Sequence, residues 1–356
     1  TLLRVLILAP LLGLVTIVIG WPLIDFVLYL IDSSAEIETL AADYSHIRIW
    51  SAPAVLCVYA FTGIFIGMHN TRAAFVLQLI LNISNMLLDL LFVLGFGWGV
   101  EGVALASVLA EYLAMLCGIY LLRTQISTAI FHYNRARLLA RDALVKLFTV
   151  NSNIFIRTLC LLFAFSYFTA KSASQGEVIL AANAILLHLQ SIMAYGLDGF
   201  AHAVEAMAGS AYGAGRQRLF RRAVLLTTLW GAGLALLAGL VYFVFGDAII
   251  NLFTSIDAVA DTASRYLPWM VIAPILSVWS FQLDGIFIGT GHTRAMRNAM
   301  IFSLVAYLLL LQLTIPMYGN HGLFFGLAFF MLIRALSLLF YFPGIEAAIR
   351  QVRVPD

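Results

Sequence analysis

Three ionisable side chains, Asp198, His202 and Glu205, stand four and three residues apart in an otherwise apolar stretch, SIMAYGLDGFAHAVEAMAGSAYGAGR at residues 191–216. On an α-helix that spacing puts all three on one face. Carboxylates so placed can bind and release a proton or a small cation. An ionised group near the centre of a bilayer costs about 2.5–3.5 kcal/mol. Two acids on one stripe therefore need a partner, a water-filled cavity or an ion to carry. His202 reads either as a proton-handling group or as a packed hydrogen-bonding residue. Asp284, in FQLDGIFIG, is a third acid inside an apolar run and joins the candidate ion-coupling set.

Further polar groups lie within apolar segments. Gln78, Asn82, Asn85 and Asp89 recur at steps of four, three and four, so they form one stripe. That stripe is either the wall of a cavity or interhelical hydrogen-bonding glue. Glu111 sits in the middle of its segment and is a cavity candidate or one half of a charge pair. Arg157 can snorkel to an interface or pair with Asp198 or Glu205, and Arg334, deeper in its segment, also needs an acid.

The elements that must hold these groups follow from composition. The chain has 356 residues, 63% hydrophobic and only 11% charged, against about 25% charged in soluble domains. Long unbroken apolar runs, not ten-residue alternating segments, predict helices spanning a bilayer. The expected spans are 4–31, 47–68, 73–95, 101–122, 150–170, 179–210, 221–245, 264–289, 297–316 and 321–343, so the fold class is an all-α polytopic membrane protein. Loops rich in arginine, around Arg72, Arg123, Arg135, Arg137, Arg141, Lys146, Arg216–Arg222 and Arg294, alternate with acidic loops around Asp32–Asp43 and Asp247–Asp261. By the positive-inside rule the basic loops and both termini are cytoplasmic.

The chain also repeats itself. GIFIGMHNTRAA at Gly63–Ala74 recurs as GIFIGTGHTRAM at Gly285–Met296, 222 residues later (285 − 63). Parallel repeats of this length are a transporter architecture with the substrate path between halves. The second copy has two helices, 150–170 and 179–210, before the position equivalent to residue 1. Two pseudo-symmetric six-helix bundles are therefore expected, with ten helices present and the first two of the N-terminal lobe missing. The expected organisation is an N-terminal lobe at 1–122, a cytoplasmic linker at 123–149, a C-terminal lobe at 150–346 and a tail at 347–356; the linker's bases recur near helical spacing, so it reads either as a solvated charge run or as a surface helix, the solvated run being preferred. Only one copy carries each intramembrane acid: Asp284 corresponds to Thr62.

No phosphate-binding loop, nucleophile elbow or metal-ligand cluster appears, so no enzyme and no cofactor is expected. Cys57, Cys117 and Cys160 stand singly and read as packing residues. Dispersed bases exclude nucleic acid as a partner. The expected partners are the lipid bilayer and small organic molecules, with the chain monomeric.

The two lobes, the repeated GxFxG…TR segment and NISNMLLD at Asn82–Asp89 resemble the multidrug and toxic compound extrusion family. YGLDGFAHAVEAMAGSAYGAGR and LDGIFIGTGHTRAMRNAM are similar to its DinF-type bacterial branch. The resemblance implies secondary antiport across a bacterial inner membrane, exporting organic, often cationic, compounds in exchange for H⁺ or Na⁺. It implies coupling acids at Asp198, Glu205 and Asp284, and a first-lobe acid on a helix absent from this sequence. The alternatives from the residues are a lipid-linked oligosaccharide flippase, which would need a more cationic cavity, and a scaffold or sensor without transport.

Overall fold

In the computed structural model, residues 2–31, 35–131 and 140–349 are described, and among them the chain is helical throughout, without strands. The expectations for Asp32, Arg135, Arg137 and the tail beyond residue 349 lie outside the described residues. Ten helices are long and apolar enough to cross a membrane among the described residues. Many of their large apolar side chains point outward, Leu252 and Phe340 being more than four-fifths exposed, as suits surfaces that meet lipid instead of water.

The chain divides into two units, 1–141 and 142–356. In the first, α1 (Leu2–Ile31) leads to α2 (Ala35–Arg48). A 3-10 turn at Ile49–Ser51 then re-aims the chain into α3 (Ala52–Gly67). Pro53 sits in the first turn of α3, where its missing N–H leaves no bond unmade. α4 (Thr71–Asp89) ends in a π-helical turn at Leu90–Gly95, α5 spans Gly99–Leu121, and α6 covers Arg123–Phe131. Phe61, Phe65, Leu77 and Leu122 form the core of this unit. Phe61 lies against Gly118, where any larger residue would meet its ring.

The linker expected over 123–149 is therefore helical at both ends, as α6 and as the start of α7. Leu122 continues the backbone hydrogen-bond ladder into α6, its carbonyl accepting from the Ile126 N–H at 2.8 Å.

The second unit holds α7 (Arg141–Ala173), α8 (Glu177–Gly213), α9 (Gln217–Phe253) and α10 (Asp257–Gly289). α11 (Thr293–Tyr318) and α12 (Asn320–Ile349) complete it. The last two are separated by Gly319, whose φ of 55° and ψ of −127° no helix accommodates. At that break Asn183 and Asn320 exchange two amide hydrogen bonds of 2.8 and 2.9 Å, and Asn183 also donates to the Ser172 hydroxyl at 2.7 Å. This buried network ties α7, α8 and α12 together.

The repeat is carried by geometry as well as by sequence. α3 ends at Gly67 and α10 at Gly289; the turns that follow make the same bonds. Asn70 N–H donates to the Phe65 carbonyl at 2.8 Å, and His292 N–H to that of Phe287 at 2.9 Å. Both turns need a left-handed residue: it is Gly291 (φ 76°) in the second copy but His69 (φ 57°) in the first. A Cβ in that conformation costs roughly 1–2 kcal/mol. His69→Gly is therefore expected to raise stability by about 1 kcal/mol, and Gly291→His to lower it by a similar amount, read by thermal unfolding of the purified variants.

His292 follows the second turn, outside the membrane spans. Its ring is partly buried, edge-on to Tyr212 with centroids 5.5 Å apart. Burial pushes its pKa below the ordinary imidazole value, opposed by a backbone hydrogen bond with Thr290. The folded state thus keeps His292 neutral where the unfolded chain would take up a proton. Its stabilising contribution is complete above pH ~6.5 and is lost as pH falls below that value. His292→Gln should show a smaller loss of melting temperature between neutral and mildly acidic pH than the unsubstituted protein.

Candidate functional site

The helices of the second unit meet through glycine. In the repeated GIFIG, a Cβ at Gly285 would strike the Ala201 carbonyl, and one at Gly289 would strike the Glu205 backbone. On the other side a Cβ at Gly209 would lie 2.6 Å from the Gly289 carbonyl oxygen. α8 and α10 are thus in backbone contact, the arrangement that small residues four apart permit within a membrane. The same sequence in the first unit behaves differently: a Cβ at Gly63 or Gly67 would meet nothing within 4 Å.

Asp284 immediately precedes Gly285 and is 5% exposed. Arg157 of α7 and Arg334 of α12 both donate from Nη2 to its Oδ2. Arg334 is itself 1% exposed, with Nη1 also 3.6 Å from the Met331 sulfur. The Asp284 Oδ1 and both arginine Nε atoms are buried without hydrogen-bond partners. The expected partner of Arg157 was Asp198 or Glu205; it is Asp284, because α10 brings that carboxylate between α7 and α12. A buried charge of this kind survives only while its partners are held in place.

Asp198, His202 and Glu205 share one face of α8, as their spacing requires. Asp198 is half-buried and accepts no hydrogen bond among the described residues. His202 is exposed, its Nδ1 3.4 Å from Glu205 Oε2. The stripe thus divides into a paired and more exposed part, His202 and Glu205, and one half-buried acid, Asp198. No group of three or more His, Cys, Asp or Glu side chains fit to hold a metal ion occurs among the described residues.

In the first unit, Glu111 of α5 is buried and holds Arg48, the last residue of α2, through two hydrogen bonds of 2.5 and 3.0 Å. Arg48 also reaches the Ser51 hydroxyl and lines a cleft of about 480 Å³ with Thr16, Tyr44 and Val55. Of the α4 stripe, Gln78 donates to Thr62 of α3 at 3.3 Å and Asn85 to Ser107 of α5 at 3.1 Å, so both join helices. Asn82 is exposed and bonds the Gln78 carbonyl of its own helix. Asp89 keeps one buried oxygen, Oδ1, without a partner, at the start of the π-helical turn.

Sequence reasoning missed Arg48. Its signal was a base standing on the acidic-loop side of the alternation, at the edge of an apolar run, where only an acid partner explains it. It also missed Asp25, whose Oδ1 is 3.0 Å from His46 Nε2, with Trp21 stacked on that imidazole at 4.5 Å.

Residues 1–91 and 154–313 match the MatE family model. The chain is 37% identical over 344 residues to DNA damage-inducible protein F of Escherichia coli, covering 95% of this chain and 73% of that protein. It is 27% identical over 296 residues to Protein DETOXIFICATION 42 of Arabidopsis thaliana, covering 82% of this chain but only 56% of that protein. Its fold superposes on a crystal structure of MATE in the bent conformation with a TM-score of 0.87 at 19% identity, over 97% of this chain and 78% of that one.

The contrast between the two GIFIG copies is testable. Gly285→Val should cost about 3 kcal/mol by forcing α8 and α10 apart. Gly63→Val should change stability by less than about 1 kcal/mol. Thermal unfolding in detergent of the two single variants distinguishes them.

Proposed function

The chain belongs to the MatE family of membrane transporters, which are not enzymes, and on that premise we propose that it exports organic, often cationic, small molecules in exchange for H⁺ or Na⁺ by alternating access. The observation that carries this reading is the half-buried carboxylate of Asp198 in an apolar span, on one helix face with His202 and Glu205 and without a hydrogen-bond donor among the described residues. A scaffold has no use for such a group, whereas an ion-coupled transporter needs one. Asp198, Glu205, His202 and Asp284 form the ion-coupling set, and Glu111 and the α4 stripe are the first unit's candidates for contact with substrate. The transporter works as a monomer in a bacterial inner membrane, with the arginine-rich loops and both termini cytoplasmic.

The energetics suffice. One charge moved across ~100 mV gains about 2.3 kcal/mol, equivalent to roughly a fiftyfold concentration ratio. A lipid-linked oligosaccharide flippase would need basic groups open to a phosphorylated headgroup. Arg157 and Arg334 both engage Asp284 instead, which favours the antiporter.

The test is reconstitution into proteoliposomes with an imposed pH gradient, following luminal pH while a fluorescent organic cation is added. Cation-dependent proton movement is expected. A response to a Na⁺ gradient alone would keep the exchange and change the ion. Silence under both gradients would overturn the antiport reading.

A further inference from the structure

Between α8, α10 and α12 the second unit holds a small cavity of about 20 Å³. Gln190 of α8 and Ser277 of α10 line it together with Met270, Phe324, Met331 and Trp269. The Trp269 indole N–H already donates to His321 Nδ1 at 3.1 Å, which leaves Gln190 and Ser277 as the polar side chains of the wall. From this geometry we infer that the cavity is a binding site for one buried water molecule, held by Gln190 and Ser277 at the proline break in α10.

Gln190 is 4% and Ser277 1% exposed, yet the Gln190 Oε1 and the Ser277 hydroxyl bond to no group among the described residues. A hydroxyl in a helix has a ready partner in its own backbone. Thr227, Thr290 and Ser303, all buried, donate to the carbonyl four residues back at 2.8, 2.8 and 2.7 Å. Ser277 does not make that bond to the Ala273 carbonyl. Leaving a buried donor or acceptor unmade is costly, whereas a bridging water is nearly as good as a direct hydrogen bond.

The backbone of α10 supplies a third polar group. Pro274 lies inside the helix and has no N–H to offer the Met270 carbonyl one turn back. Met270 lines the same cavity. In an apolar interior a carbonyl released by proline is met by a neighbouring helix, a hydroxyl or an ordered water. A water in the cavity donates to Gln190 Oε1 and to the Met270 carbonyl, and accepts from the Ser277 hydroxyl. That makes three hydrogen bonds, the usual number for a buried water.

Size and charge select the ligand. One water needs about 10–15 Å³ of such space, so the cavity takes one water and no organic molecule. No charged side chain lines it. A metal cation would therefore enter without an anion to balance it, which an apolar interior penalises heavily. The site is also separate from Asp198 and Asp284, neither of which reaches its wall.

The test is X-ray radiolytic labelling of the purified full chain in detergent, read by mass spectrometry. Hydroxyl radicals form from water where it lies, so side chains beside a buried water are oxidised although bulk solvent does not reach them. Met270 and Met331, 2% and 4% exposed, are expected to oxidise several times faster than Met300, which is 1% exposed and outside the cavity. The double variant Gln190→Leu/Ser277→Ala removes the polar side chains and should bring both methionines down to the Met300 rate. Equal rates in the unsubstituted protein, or fast labelling that survives the double variant, overturns the inference. Exchanging Na⁺ for choline should leave the rates unchanged. Labelling that rises when Na⁺ is withdrawn assigns the site to a metal ion and also overturns it. Should the double variant fail to fold, the comparison with Met300 in the unsubstituted protein decides alone. The labelling needs no transport, so its outcome is independent of the antiport reading.

Discussion

A charge inside a membrane cannot be left to water, and the second unit is arranged around that constraint. Asp284 receives Arg157 and Arg334 from helices on either side, so α7, α10 and α12 are held by one carboxylate. The pairing has a geometric precondition. α10 must come close enough to α8 to be surrounded, and Gly285 and Gly289 allow that by removing the side chains that would collide with the Ala201 and Glu205 backbone. Replacing a paired buried charge by an apolar residue can be harmless, whereas orphaning one partner costs about 3–5 kcal/mol. The triad is thus weak as a source of net stability and strong as a determinant of which helices meet.

The first unit solves the same problem with a smaller set. Glu111 and Arg48 form a two-hydrogen-bond pair joining α5 to the end of α2, and neutral amides do the rest, Gln78 to Thr62 and Asn85 to Ser107. An interhelical amide bond is worth about 0.6 kcal/mol on average in a membrane, so these position helices more than they stabilise them. The two units repeat the same helix ends and the same turn bonds. In the second unit a packed helix, α8, faces GIFIG. Symmetry of backbone therefore coexists with asymmetry of charge.

The sequence by itself determined the helical membrane fold, the spans and the internal repeat. Each is a local or periodic property: apolar runs long enough for a bilayer, and a motif that returns after 222 residues (285 − 63). It also determined that Asp198, His202 and Glu205 share a face, because helical spacing alone fixes that. What only the tertiary structure decided was pairing. Arg157 was read as snorkelling or pairing with Asp198 or Glu205 and took the acid on α10 instead, and Arg48 was not visible as a partner of Glu111, 63 residues away. In the 123–149 segment the recurrence of bases near helical spacing allowed a surface helix, and the structure adds the hydrogen-bond continuity through Leu122. Contacts between helices depend on how close two backbones come. That distance is set by glycines acting against a partner surface which the linear sequence does not contain.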